Sequence, residues 1–104
     1  MQVDDRTIDR LRPTFKQVAD ILRSGHERLS DADRDDVAKL VIVAVDRLPP
    51  GELNQIISRV RRALPRARPR SPVAYFRQTV ANACRDRGID FRAAAQFTLP
   101  WERK

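Results

Sequence analysis

The sequence predicts an all-α protein: a compact bundle of four to five short helices, with room for a helix-turn-helix arrangement. Three observations carry this reading. Apolar residues recur at three- and four-residue steps in long stretches, the period of one helix face. Ser30 and Ser71 stand directly before two of those stretches, where a hydroxyl caps the first free amides of a helix. The three glycines, Gly25, Gly51 and Gly88, all fall between stretches. At 104 residues the chain is read as one domain, 1–104, with a modest core.

The first helix is expected from about Thr7 to Ser24. Ile8, Leu11, Phe15, Val18 and Leu22 form its apolar face and Gly25 is its expected C-cap. Pro13 lies inside the pattern, so it either kinks one helix or opens a second. The next helix starts after Ser30, whose following acids Asp31 and Asp33 suit the helix dipole, and runs to about Leu48. Its stripe is Val37, Leu40, Val41, Ala44, Val45 and Leu48. Ile42 and Val43 make Leu40–Val45 apolar nearly all round, which places the helix centrally or at an interface, and an interface implies a homodimer. A buried strand over Leu40–Val45 is the competing reading; the capped start and the length favour helix.

Pro49-Pro50-Gly51 breaks the chain. The third helix is expected over about Glu52 to Leu64, with Leu53, Ile56, Ile57, Val60 and Leu64 inward and Arg59, Arg61 and Arg62 outward. Residues 65–70, Pro-Arg-Ala-Arg-Pro-Arg, hold no apolar face and are expected to form an extended, basic surface arm. Ser71-Pro72 opens the fourth helix, to about Arg87, with Val73, Phe76, Val80, Ala83 and Cys84 inward and Gly88 as cap. Ile89 and Asp90 then read as staple and N-cap of a short last helix, Phe91 to Phe97. Leu99-Pro100-Trp101 is expected to fold back as an apolar plug, and Glu102-Arg103-Lys104 to fray.

The formal net charge is +7 and unevenly placed. Residues 1–57 are slightly acidic, a net of −2, whereas residues 58–104 carry a net of +9. Such a basic half is a footprint for a polyanion. From Arg59 to Arg77 there are seven arginines, no lysine and no acid. Arginine's planar fork suits phosphate because it donates two parallel hydrogen bonds. The candidate nucleic-acid contacts are Arg59, Arg61, Arg62, Arg66, Arg68, Arg70 and Arg77, joined by Gln78, Asn82 and Arg85. The last three lie three and four residues apart, on one face, and are side-chain types that read base edges. A continuous positive stripe through Arg61, Arg66, Arg68, Arg70 and Arg77 would favour DNA. Tyr75 reads as a core-closing tyrosine rather than a base-stacking one.

Ser71-Pro72-Val73-Ala74-Tyr75-Phe76-Arg77 resembles a short motif, Asn-Pro-any-Ala-Tyr-Phe/Leu, of helical DNA-binding modules in bacterial plasmid and phage replication initiators and mobile-element regulators. A similar phrase occurs in some alternative sigma factors, which need more domains than this length holds. The resemblance implies that Tyr75 and Phe76 anchor the helix and that Arg77 sits near a DNA backbone. Ser71 replaces the motif's asparagine and caps equally well.

The residues offer little for catalysis, so the protein is expected not to be an enzyme and to need no cofactor. His26 is alone in a predicted loop, and one cysteine with one histidine makes no soft zinc site. The aspartates at 31, 33, 35 and 36 suit capping and lack the glycine and terminal glutamate of a calcium loop. A lone cysteine, an acidic start without an apolar run behind it, and no stretch long enough to span a bilayer point to a cytoplasmic protein with no membrane contact. The expected partner is double-stranded DNA, bound by a bacterial transcription regulator or a replication or mobile-element accessory factor. The alternative is a helical adaptor that binds another regulator protein. RNA would draw on the same charges.

Overall fold

The computed structural model describes residues 3–23 and 28–102. It is an all-α bundle: α1 Asp5–Leu22, α2 Asp31–Arg47, α3 Glu52–Ala67, α4 Pro72–Asp86 and the single turn α5 Phe91–Ala94, closed by a 3₁₀ turn at Pro100–Glu102. The expected cap at Gly25 and the loop position of His26 lie outside the described residues, as do Arg103 and Lys104.

Local chemistry explains most boundaries. Asp4 caps α1 by accepting from the Thr7 amide at 2.9 Å and the Thr7 hydroxyl at 2.8 Å. Ser30 and Ser71 cap α2 and α4, each accepting from a backbone amide three residues on at 3.1 Å. Pro49-Pro50-Gly51-Glu52 closes with a Glu52 amide donating to the Pro49 carbonyl at 3.1 Å. Gly51, at φ 87° and ψ −16°, takes the left-handed third position of a type II turn behind a proline. At the end of α4, Gly88 at φ 71° completes a Schellman cap: the Ile89 amide donates to Cys84 and the Gly88 amide to Arg85.

Pro13 neither breaks α1 nor opens a second helix; it lies inside one continuous helix. The residues 65–70 are not an extended arm. Pro65 and Arg66 belong to α3, which runs to Ala67, and the Arg68 amide still donates to the Leu64 carbonyl at 3.0 Å. A proline near the end of a helix forfeits one amide bond and crowds the carbonyl four residues back, and here Arg61, Pro65 and Arg66 are all exposed. The connection to α4 is therefore Arg68 to Ser71. The last helix is also shorter than expected, ending at Ala94.

α2 runs through the middle, packed on α1, α3 and α4. That position accounts for its apolar circumference: seven residues from Val37 to Ala44 are buried. Val45 is the exception at 44% exposure, pointing away from the core rather than into it. The main core joins Val18, Leu22, Val41, Ile56, Val60, Phe76, Val80 and Cys84. A second cluster joins Val3, Ile8, Leu11, Ala38, Ile42 and Leu99. Leu99 is the whole of the plug. Trp101 lies outside at 43% exposure, its indole N–H donating to Asp35 Oδ1 at 2.7 Å. Glu102 is held rather than frayed, 3.2 Å from Lys39 Nζ. No helix among the described residues is long and apolar enough to cross a membrane.

Candidate nucleic-acid interface

α3 is strongly two-sided. Leu53, Ile56, Ile57 and Val60 are buried, and the opposite side is exposed throughout. Gln55, Arg59, Arg62 and Arg66 follow one another at helical spacing along one flank. At about 100° per residue, Arg61 lies about 140° round the axis from Arg66. The continuous stripe through Arg61, Arg66, Arg68, Arg70 and Arg77 therefore does not form. Asn54, Gln55, Ser58, Arg59 and Arg62 line a shallow polar cleft of about 420 Å³ on this outer side. The neutral members of that cleft carry no charge signature and emerge only when the outer face is stepped at the helical period.

Arg66 lies in the last turn of α3, and Arg68 and Arg70 are exposed in the connection that leads into the N-terminus of α4. Arg68 adopts the left-handed conformation, φ 42° and ψ 55°. None of Arg59, Arg61, Arg62, Arg66, Arg68 and Arg70 forms an ion pair among the described residues. No acid occurs in the sequence from Leu53 to Arg85.

Arg77 stands apart from this group. Its Nη2 is 2.6 Å from Asp36 Oδ2 of α2, an exposed ion pair across the bundle. A phosphate at Arg77 must compete with that carboxylate, although an exposed pair of this kind is worth only about 0–1 kcal/mol. The partner lies 41 residues away in sequence, and no local pattern indicates it. Arg87 is similarly tied to Glu52 at the start of α3, at 3.2 Å.

Gln78, Asn82 and Arg85 come together as the spacing predicts. Gln78 Nε2 donates to Asn82 Oδ1 at 2.8 Å, and Arg85 Nη2 donates to the same oxygen at 3.1 Å. Gln78 and Arg85 are exposed and Asn82 is half-buried. Tyr75 is half-buried against the main core, and Phe76 is fully buried.

A larger cleft, about 900 Å³, lies between α1 and α2. Its rim mixes Arg12, Lys16, Arg28 and Arg34 with Asp20, Asp31 and Asp35, so it offers no single sign of charge. Among the described residues no group of three or more His, Cys, Asp or Glu side chains is placed to hold a metal ion. Comparisons with protein-family models, curated proteins and solved structures find no match to this chain.

Proposed function

We propose that this protein binds double-stranded DNA through the arginines of α3 and of the α3–α4 connection, with α4 beside them. In this reading it is a bacterial transcription regulator or a replication or mobile-element accessory factor, and it carries out no catalysis. The observation that carries the reading is the set Arg59, Arg62, Arg66, Arg68 and Arg70: exposed, without an ion-pair partner among the described residues, and in an acid-free segment. Cations left without carboxylates are available to phosphates, and each phosphate so neutralised releases condensed counterions.

The test is fluorescence anisotropy with labelled random duplex DNA across a salt series. Affinity should fall steeply with salt. The triple variant Arg66→Ala, Arg68→Ala, Arg70→Ala should reduce the log–log slope by about 0.9 for each phosphate that is no longer neutralised, close to three in all. Absence of binding by the unaltered protein at about 50 mM salt would overturn the reading. The adaptor alternative would then lead, with the half-exposed Val45 on α2 as a starting point for locating a protein partner.

A further inference from the structure

We propose that the outward ridge of α4 reads base edges in the major groove, with Gln78 selecting adenine and Arg85 selecting guanine. The proposal rests on the DNA-binding reading above and adds which atoms would carry sequence preference.

The ridge follows from helical spacing. Val73, Phe76, Val80 and Cys84 are buried, and about a third of a turn round the axis the exposed Ala74, Gln78 and Arg85, with the half-buried Ala81 between the last two, succeed one another at steps of four, three and four residues. Ala74 and Ala81 project only a methyl group each. They let the helix backbone approach a groove floor closely and are the right size to touch a thymine methyl. No acid precedes Asp86 on this helix, so the ridge meets the flanking phosphates without repulsion. Arg68 and Arg70 are exposed just before the helix and add positive charge beside its N-terminus.

The hydrogen bonds determine the polarity of the face. An arginine side chain has donors only, so the Asn82 atom that Arg85 reaches must be the amide oxygen. That oxygen can take only a donor from Gln78, which is therefore its nitrogen. Gln78 is left with its Oε1 acceptor and one N–H. That pair complements the N6 donor and N7 acceptor of adenine. Arg85 gives one N–H to Asn82 and keeps the rest of its fork for the O6 and N7 acceptors of guanine. Asn82 touches both readers without projecting along the ridge, so it acts as a positioning residue. The seven-residue step from Gln78 to Arg85 spans about 10 Å at the helical rise, which matches about three base pairs.

The experiment is enrichment from a pool of randomised duplexes, run with the full chain. The unaltered protein should enrich sites in which an adenine and a guanine lie about three base pairs apart. Gln78→Ala should lower the preference at the adenine by about tenfold and leave the guanine, and Arg85→Ala should do the reverse. Asn82→Ala should blur both positions, and Asn82→Asp, which keeps the shared acceptor oxygen, should restore the two preferences while its added charge lowers affinity. Because Gln78 is exposed, its variant should retain the helical circular dichroism of the parent. Binding to random duplex with no enriched sequence, or a motif unchanged by Gln78→Ala, would overturn this inference and leave the DNA-binding reading standing. No binding to any duplex would overturn both.

Discussion

Arg68 occupies a backbone conformation that L-residues avoid, with φ 42° at the end of α3. Glycine is the ordinary choice there, and a side chain costs about 1 kcal/mol by crowding its own carbonyl. Arg68→Gly should therefore raise the stability measured by urea unfolding by about that much while weakening DNA binding, so stability and binding should move in opposite directions. Two titrating groups among the described residues contribute to the pH response at this scale. The Thr7 amide and hydroxyl hold Asp4 below its ordinary 3.8. Its cap is in place above pH 3.8 and is lost as the pH falls through the lowered folded value. Burial pushes the Cys84 thiol above its ordinary 9.0, against a smaller opposing effect of the Arg47 charge. Its contribution is full below pH 9.0 and declines as the pH rises through the raised folded value. A thiol reagent at neutral pH should label Cys84 only as fast as the core opens, and faster in urea; prompt labelling of the native protein would contradict its burial.

Each helix carries its own start and stop, and two carry a defect. Ser71→Ala should destabilise by about 1 kcal/mol, read by thermal unfolding, because the Ala74 amide loses its acceptor. Pro13 sits mid-way along α1 without an amide to donate to the Asp9 carbonyl. Pro13→Ala restores that bond on an exposed position and should raise stability by up to about 3 kcal/mol. An unchanged midpoint would mean that the proline is compensated by its effect on the unfolded chain. The element that matters most for packing is α2, which meets three other helices and so uses apolar residues on nearly every side. Its composition reflects a central place within the single chain, which needs no second copy to cover it.

At the scale of the whole molecule, the C-terminal segment closes the bundle. Leu99 is fully buried beside Val3, Ile8, Leu11, Ala38 and Ile42, joining both ends of the chain through one small cluster. Leu99→Ala should cost about 3 kcal/mol, as deletions of buried leucine side chains do. The same substitution at the half-exposed Trp101 should cost less, although the indole gives up its bond to Asp35. Chemical denaturation of the two variants checks the order. The charge is polar on this scale as well: the arginines of α3 and its connection form the basic region, while the acids of α2 engage Arg77 and Trp101 across the bundle.

The sequence alone determined the all-α class, four of the caps and the separation of charge, because those depend on residues at most a few positions apart; it did not show the cap at Asp4 or the run of α3 through Pro65. Ser30, Ser71, Asp90 and Gly88 cap where local spacing places them, and Gln78, Asn82 and Arg85 meet because one helical turn brings them together. The tertiary structure alone decided which arginines find a distant carboxylate among the described residues. Arg77 finds Asp36 across 41 residues, and Lys39 finds Glu102 across 63. Arg61 turns away from Arg66 only once α3 is seen to continue through Pro65. Such pairings depend on where helices pack, and packing is fixed by the fit of apolar faces rather than by any local pattern.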